Sequence, residues 1–321
     1  MELSTVAAQL NRAVRSAQTI LLVAHRRPDA DCLGSVVALN EWITGLGKEC
    51  VCFCVDRPQL VVPMVVEPDT FTHDIEAVGA QKFDLAIVVD SGDLRYAGVD
   101  GLMAQLRPPM IINIDHHPTN TRFGQLNIVD TTAASTTEIV FQLLKKNKVI
   151  ISSRIAAALL AGIIGDTYGF TNTNTSATTM QTTSGLLRFG APLAQVSDAL
   201  LKNKTVDGLQ LWGTILSRLQ HNEEFNIAVT VITAEELQGN PELFEVTEGI
   251  SNFLNNLQGV AAALVLRQET ADTIKGSLRT NSDLIDVARF ATLLGGGGHR
   301  KAAGFTISGR LMKDGDHWQI V

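Results

Sequence analysis

The feature that most constrains the fold is a regular alternation of short apolar runs with longer segments of helical periodicity. The apolar runs end in polar residues and are TILLVAH (19–25), ECVCFCV (49–55), DLAIVVD (84–90) and MIINIDH (110–116). Segments between and after them, such as DCLGSVVALNEWITGLG and STTEIVFQLLKK, place apolar residues three and four positions apart. Buried strands that alternate with helices predict an α/β fold with a parallel sheet covered on both faces.

The pattern changes after Gly190. Residues 191–221 are polar and helical, and LLKNKTVDGLQLWGTILSRLQ predicts a connecting helix. From residue 222 onward a smaller α/β unit is indicated by the strands FNIAVTVIT, VAAALVLRQE and TIKGSLRT and by the helix GISNFLNNLQ. A chain of 321 residues is long enough for two cores. We therefore expect a first domain at 1–190, a helical linker at 191–221 and a second domain at 222–321.

Charge and hydropathy exclude some partners. The formal net charge is -7, and no block of Lys or Arg forms a footprint for long nucleic acid. The first twenty residues do not resemble a signal peptide, and no stretch approaches the roughly 20 apolar residues of a membrane span. We expect a cytoplasmic protein without membrane contact. Cys50, Cys52 and Cys54 lack the spacing of a thiolate metal site and predict free thiols on one buried strand face.

Aspartate and histidine residues concentrate where the apolar segments end. His25, Asp29 and Asp31 follow the first apolar run. Asp90 ends the third run, Asp115, His116 and His117 close the fourth, and Asp166 follows the apolar stretch AALLAGIIG. Because ligands of open α/β sheets bind at the carboxyl ends of the strands, we expect these side chains to meet in one crevice.

The residue types favour a metal centre. A helix N-cap or one buried structural histidine would explain single members of the set, but not all of them. A carboxylate that ends an apolar strand is costly to bury unless it is paired or bound to a cation. The candidate ligands are His25, Asp29, Asp31, Asp90, His116 and Asp166. Mixed carboxylate and imidazole ligation suits Mn²⁺, with Mg, Fe, Co or Zn as alternatives, and one carboxylate can bridge two ions roughly 3.5–4 Å apart.

A second motif is the run of four glycines at 295–298, which His299, Arg300 and Lys301 follow. Glycines let backbone N–H groups approach an anion closely, and basic side chains add positive charge. The alternative, a flexible surface loop, would not need the apolar segments on either side. We therefore predict a phosphate-binding loop, with Arg279 at the end of TIKGSLR as a second anion clamp. The predicted contacts in the loop are Gly296, Gly297, Gly298 and His299.

In this order the motifs resemble the DHH phosphoesterase family, in its branch with a DHH-associated C-terminal domain. Within that branch the chain is most similar to the bacterial oligoribonucleases that also act as pAp phosphatases (nanoRNases). The likeness extends from about residue 15 to residue 310 and depends on AHRRPDAD, VVDSGDLR, NIDHHPTNTRFG, DTTAASTTEIV, GIIGDTYGF and GGGGHRKAAG. It implies a catalytic, metal-binding domain at 1–190 and a substrate-binding domain at 222–321.

The resemblance also implies a role for each matched residue. The first ion would be held by His25 and Asp29, and the second by Asp31, His116 and Asp166. Asp90 would bridge both ions and, with His117 at the scissile phosphate, take part in catalysis. The glycine loop, His299 and Arg279 would hold another phosphate or the nucleotide end. Arg95 would contact the substrate or support the ligands, although the neighbouring Gly92 stands where relatives vary.

The implied reaction is release of mononucleotides from very short RNA, together with conversion of 3′-phosphoadenosine 5′-phosphate (pAp) to AMP. We expect two Mn²⁺ ions, with Mg²⁺ or Co²⁺ possible, and direct attack of an activated water on phosphorus without a covalent enzyme intermediate. The second domain would restrict substrates to short lengths, and the low aromatic content predicts weak base specificity. The family also makes a homodimer plausible.

Other functions remain open at this stage. Linear dinucleotides from cyclic-dinucleotide signalling belong to the same substrate class. An inorganic pyrophosphatase could use the same first domain, although the basic glycine loop favours a nucleotide. A processive exonuclease on single-stranded DNA would need more basic surface than a chain of net charge -7 offers. A nucleotide sensor without catalytic activity would not need His117 beside a complete ligand set.

Overall fold

The computed structural model describes residues 2–58, 65, 67, 69–202, 204–237, 241–315 and 317–321, and only the backbone of 241–246 and 248. The chain divides into two compact units, Met1–Asn203 (unit 1) and Lys204–Val321 (unit 2). Both are α/β, as the sequence predicts. The exact domain and linker boundaries inferred from the sequence stay a prediction. No helix of the described residues combines the length and hydropathy that a bilayer crossing requires.

Unit 1 is built on a parallel sheet. Its strands within the described residues are β1 (Thr19–Ala24), β2 (Glu49–Cys54), β3 (Leu85–Val89), β4 (Ile111–Asp115) and β5 (Leu126–Val129). They lie in the order β2-β1-β3-β4-β5, and every neighbouring pair is parallel. Strands β1 to β4 confirm the prediction that the four apolar runs of the sequence form strands. In a sheet of this order the switch point lies between β1 and β3, and ligands bind there at the carboxyl ends of the strands.

Both faces of this sheet are covered, because alternate residues of a strand point to opposite sides. Ile20 and Leu22 of β1 belong to one core, whereas Leu21 and Val23 belong to another. The first core includes α1 (Leu3–Ser16), α2 (Ala30–Gly45), α6 (Thr136–Lys146) and α7 (Ser153–Thr167). The second core includes α3 (Ile75–Gly79), α4 (Leu94–Ala97) and α5 (Asp100–Leu106). The chain therefore leaves β1 toward one face and β3 toward the other, which opens the crevice at the switch point.

The alternating cysteines of β2 confirm the predicted face of free thiols. Cys52 and Cys54 are buried, and Cys50 is partly buried against the same core. All three are free. Their packing as small apolar side chains gives them a structural role on the face that α2 covers.

Helices α2 and α7 pack closely along each other. A Cβ atom at Gly34 of α2 would lie 2.2 Å from the carbonyl oxygen of Ala158 in α7, so only glycine permits this approach. Asp31 lies in the first turn of α2 and Asp166 in the last turn of α7. The close packing of the two helices therefore brings two predicted ligands to the same edge of the sheet.

The connecting helix expected across residues 200–220 is wrong. Helix α8 (Ala177–Arg188) is followed by α9 (Leu193–Leu201), which ends at Leu201. A separate helix, α10 (Val206–Ser217), then begins at a new N-cap. The Thr205 side chain accepts a hydrogen bond from the N–H of Gly208, which starts α10. The polar, lysine-rich sequence KNKT lies between the two helices, which belong to different units. Hydrophobic periodicity alone had predicted one continuous helix.

Unit 2 contains a mixed sheet in the order β10-β11-β9-β8-β7-β6 among its described residues. Its strands are β6 (Gln220–Asn222), β7 (Ile227–Ile232), β8 (Ala262–Thr270), β9 (Thr273–Arg279), β10 (Gly297–His299) and β11 (Ala302–Ser308). Only β7 and β8 are parallel among these described pairs. With α10, the helices of this unit among the described residues are α11 (Ala234–Leu237), α12 (Pro241–Leu254) and α13 (Val287–Leu293), and β12 (Leu311–Asp314) pairs with β13 (His317–Ile320).

Candidate metal centre

The three motifs that follow β1, β3 and β4 meet at the carboxyl edge of the parallel sheet. His25 comes directly after β1, Asp90 directly after β3, and His116 directly after β4. All three side chains are buried. The geometry agrees with the expectation that strand ends converge, and it places the cluster at the switch point between β1 and β3.

Asp90 is the centre of this cluster, because its two carboxylate oxygens face different imidazoles. Asp90 Oδ2 lies 3.3 Å from His25 Nε2, and Asp90 Oδ1 lies 3.6 Å from His116 Nε2. The backbone of Asp90 adopts φ 54, a left-handed conformation that aspartate tolerates better than most residues. Backbone outliers of this kind are found preferentially at functional sites, where the surrounding structure holds them.

Three further carboxylates complete two groups around Asp90. Asp29 Oδ1 lies 3.9 Å from His25 Nε2 and so joins the Oδ2 side of Asp90. On the Oδ1 side, His116 Nε2 lies 3.1 Å from Asp166 Oδ2 and 4.0 Å from Asp31 Oδ2. Potential ligand atoms of Asp31, His116 and Asp166 all lie within 4.8 Å of one another. Unit 1 therefore brings together all six predicted ligands as two groups that share Asp90.

Crowding of charges perturbs the pKa values in this cluster. Limited hydration and the charge of Asp90 raise the pKa of Asp29 to about 6, although its side chain is 57% exposed, and they raise the pKa of buried Asp31 well above its usual value. Burial lowers the pKa of His116, but Asp166 and Asp90 outweigh it and the net shift is upward. Upward shifts of this kind are typical of carboxylates crowded together in a site that can hold a cation.

Asp90 behaves differently from its neighbours. Burial would raise its pKa, yet the hydrogen bond from His25 and the nearby His117 charge hold that pKa well below its usual value. The pKa of His25 is raised in turn, because Cys32 and Asp90 outweigh the effect of burial. The downward shift favours the ionised form of Asp90 at neutral pH.

The N-terminus of α6 fixes Asp31, a feature that the sequence analysis missed. The backbone N–H groups of Thr136 and Thr137 donate to Asp31 Oδ2 and Oδ1 at 2.6 and 2.8 Å. The Thr137 hydroxyl also donates to Asp31 Oδ1 at 2.6 Å, and the Thr136 hydroxyl donates to Asp90 Oδ1 at 2.9 Å. Positive charge at a helix N-terminus stabilises the carboxylates, and these bonds hold both side chains in one orientation.

Asp115 orients His117 rather than joining the ligand groups. Asp115 Oδ1 accepts hydrogen bonds from the N–H of His116 and from His117 Nδ1, both at 2.8 Å. Asp115 Oδ2 accepts from Asn120 Nδ2 at 2.5 Å, and Asn113 Oδ1 accepts from the same amide at 2.7 Å. Because Asp115 is fully buried and satisfied, it places the proton on His117 Nδ1 and directs Nε2 away from the carboxylate.

Cys32 also lies beside the cluster, within ligand distance of His25 and Asp90. Burial raises the pKa of its thiol to about 12. Cys32 Sγ accepts a hydrogen bond from the N–H of His25 at 3.3 Å, which supports the loop after β1.

Arg95 is exposed in α4, and no hydrogen bond or ion pair among the described residues links it to the six candidate ligands. The predicted role of Arg95 stays a prediction.

In unit 2 the glycine run is partly strand, since Gly297, Gly298 and His299 form β10. A Cβ at Gly296 would lie 2.1 Å from the carbonyl oxygen of Gly304, so glycine is required there for close packing on β11.

Arg279 and His299 share one face of the unit 2 sheet. Ala302 is the register partner of Arg279 on one side and of His299 on the other, and directly opposed residues point to the same face. The two residues are thus two strands apart, roughly 10 Å. Arg279 Nε donates to Asn252 Oδ1 at 2.9 Å, whereas Arg300 and Lys301 both engage Asp283. Arg279 and His299 remain the predicted substrate contacts of unit 2.

Family models match both units. The DHH family N-terminal domain matches residues 19–163, and the DHHA1 domain matches residues 215–314. The first match contains His25, Asp29, Asp31, Asp90 and His116, and the second contains the glycine run and Arg279. The chain therefore belongs to the DHH family, in the branch that carries a DHHA1 domain.

Individual relatives are consistent with this assignment. The chain is 29% identical over 295 residues to the bifunctional oligoribonuclease and PAP phosphatase NrnA of Thermus thermophilus, covering 90% of this chain and 84% of the relative. Its fold is similar to that of an exopolyphosphatase-related protein from Bacteroides fragilis, with TM-score 0.82, 24% identity, and coverage of 94% and 90%. RecJ of Thermus thermophilus in complex with Mn²⁺ aligns with TM-score 0.54 and 18% identity, over 95% of this chain and 52% of RecJ.

Proposed function

We propose that the protein is a two-metal phosphoesterase that releases mononucleotides from very short RNA and removes the 3′-phosphate of pAp. The observation that carries the proposal is the position of Asp90, whose two oxygens each face a separate group of carboxylate and imidazole ligands. A pair of cations bridged by one carboxylate can stabilise both the attacking and the leaving oxygen of a phosphoryl group. The name of the Thermus thermophilus relative supports the substrate class.

The donor atoms of unit 1 fit two hard or intermediate divalent ions. His25, Asp29 and Asp90 Oδ2 would hold the first ion. Asp31, His116, Asp166 and Asp90 Oδ1 would hold the second. Oxygen and imidazole donors without thiolate suit Mn²⁺, and RecJ, which shares the fold, was crystallised with Mn²⁺. We therefore propose Mn²⁺ as the cofactor, with Mg²⁺ or Co²⁺ as substitutes.

The ions would activate a water molecule and neutralise negative charge on the phosphoryl group. The chain itself supplies orientation and proton control. Thr136 and Thr137 hold the carboxylates of Asp90 and Asp31 in place. Asp115 fixes the ring of His117, whose Nε2 would stabilise charge on the scissile phosphate or pass a proton to the leaving oxygen.

Unit 2 would hold the other end of the substrate. Arg279 and His299, on one face of the sheet, would provide a positive charge and an imidazole for a terminal phosphate or nucleotide. Holding that end would favour substrates a few nucleotides long and would disfavour long RNA. The absence of Lys- or Arg-rich blocks in the sequence supports the same preference.

An assay that offers pAp, a 5′-labelled RNA dinucleotide, an RNA 24-mer and pyrophosphate in parallel, with Mn²⁺, tests the proposal. We expect fast turnover of pAp and the dinucleotide and slow turnover of the other two. Asp90→Asn should lose activity on all substrates, whereas the control Asp100→Asn, at an exposed aspartate of α5, should keep it. Turnover of pyrophosphate alone, or of the 24-mer alone, would contradict the substrate class, and an active Asp90→Asn variant would contradict the metal centre.

A further inference from the structure

Tyr96 is a large aromatic side chain beside the metal centre. It lies in α4, in the segment that follows Asp90, and 57% of its surface is exposed. The centroid of its ring is 5.4 Å from that of His25, and the ring planes are inclined by 43°. An exposed aromatic ring thus contacts a proposed metal ligand while much of its surface stays open to solvent.

The position of Tyr96 is fixed by its own short helix. The Asp93 side chain accepts a hydrogen bond from the N–H of Tyr96 at 2.7 Å and so caps the start of α4. Ser91, which directly follows Asp90, donates its hydroxyl to the carbonyl of Asp93 at 2.8 Å. The segment that carries Tyr96 is therefore tied at its start to the β3 end of the metal centre.

The end of α4 is tied to the loop after β1. Gly98 ends the helix with φ 77, a conformation that glycine adopts without strain. The Arg26 side chain packs directly against Gly98, since a Cβ there would lie 2.3 Å from Arg26 Nε. Arg26 follows His25 in the chain, and its carbonyl oxygen lies 2.7 Å from His25 Nδ1. Contacts at both ends of α4 thus hold the Tyr96 ring beside His25.

We propose that Tyr96 is the stacking platform for the nucleobase of the nucleotide whose phosphate is bound at the metal centre. The inference rests on the proposed function and adds a nucleobase subsite to it. A nucleoside attached to a phosphate at the ions has its base within reach of a ring that touches a ligand of one ion. Aromatic side chains bind single-stranded bases through their faces and accept every base. One fixed tyrosine would therefore agree with the weak base specificity that the low aromatic content of 5% predicts.

The experiment compares Tyr96→Ala and Tyr96→Phe with wild type on the RNA dinucleotide pApA and on two analogues, each abasic at one nucleotide. Ile150→Ala, which removes an exposed apolar side chain from the same unit, is the control. We expect Tyr96→Ala to lower kcat/KM for pApA by about 5- to 150-fold, the factor that corresponds to one base stack. Tyr96→Phe and Ile150→Ala should stay close to wild type. The loss in Tyr96→Ala should disappear on one abasic analogue, which identifies the stacked base.

Mn²⁺ affinity, measured by calorimetry on the same variants, separates stacking from support of His25. Unchanged affinity in Tyr96→Ala agrees with the stacking role. Weaker Mn²⁺ binding together with an equal loss on both abasic analogues would overturn it, because Tyr96 would then act through His25. A Tyr96→Ala variant as active as wild type on pApA would also overturn it. Inactivity of the wild-type protein on every nucleotide would instead contradict the proposed function.

Discussion

Gly162→Ala tests whether the contact between α7 and Asp31 supports the metal centre. Gly162 lies where α7 faces the first turns of α2 and α6. A Cβ at this position would lie 2.4 Å from Thr137 Oγ1 and 2.5 Å from Asp31 Oδ1. Both atoms belong to the hydrogen bond that orients the Asp31 carboxylate, so the methyl group displaces a proposed ligand without removing it.

Two effects of opposite sign determine the change in stability. Overpacking of a buried contact costs about 1–3 kcal/mol, whereas alanine is about 1 kcal/mol better than glycine inside a helix. The free energy of unfolding should therefore fall by about 0–2 kcal/mol. Mn²⁺ affinity should fall by about 10- to 100-fold relative to wild type, because this is the usual effect of disturbing a residue that orients a metal ligand.

Isothermal titration of Mn²⁺ and denaturant unfolding of the same protein give both quantities. The control is Gly101→Ala in α5, where the added Cβ meets no described atom within 4 Å apart from its chain neighbours and the backbone of its own helix. It should bind Mn²⁺ like wild type and be up to about 1 kcal/mol more stable. A folded Gly162→Ala protein with wild-type Mn²⁺ affinity would show that Asp31 is not a ligand held by this contact.

Asp115→Asn should lower kcat by about 10²- to 10⁴-fold while Mn²⁺ affinity is retained, because His117 loses the carboxylate that sets its tautomer. A matching loss of Mn²⁺ affinity would instead make Asp115 a metal ligand. Mn²⁺ affinity should fall as the pH drops through about 6, because Asp29 gains a proton there and metal binding requires its ionised carboxyl group. Calorimetry that finds constant affinity between pH 5 and 7 would contradict this prediction. The raised pKa values of His25 and His116 act in the same direction, so proton release on binding should be measurable. His299→Ala should reduce the preference for dinucleotides over the 24-mer in kcat/KM, and an unchanged ratio would exclude His299 from length selection.

Much of unit 1 could be predicted because its strands are short, apolar and bounded by polar residues. The runs that became β1, β3 and β4 are buried along most of their length, and β2 is buried along its second half. In contrast, β5 is four residues long and alternates buried and half-buried positions. Such a short segment has too few residues to show a period. The false connecting helix has a related cause, because the periodicity of α9 and α10 continues across a polar break that only tertiary structure distinguishes.

The candidate ligands were accessible from the sequence because parallel strands place their carboxyl ends at one edge, so motifs far apart in the chain share one location. The residues that support them were not. Thr137 reaches Asp31 across 106 positions of sequence, and Asn120 contributes through its bonds to Asp115 and Asn113. One available signal was Asn113, a polar residue within the buried strand IINID. Buried polar groups need partners, which predicts a hydrogen-bond network there.

The bridging role of Asp90 can be measured as the number and coupling of Mn²⁺ ions bound by the wild-type protein and by Asp90→Asn. Titration followed by electron paramagnetic resonance gives both quantities, independently of activity. We expect two ions per wild-type chain with a spin-coupled signal, and loss of the coupling in Asp90→Asn because the bridging carboxylate is gone. One ion per wild-type chain, or an unchanged coupled pair in Asp90→Asn, would contradict the central role assigned to Asp90.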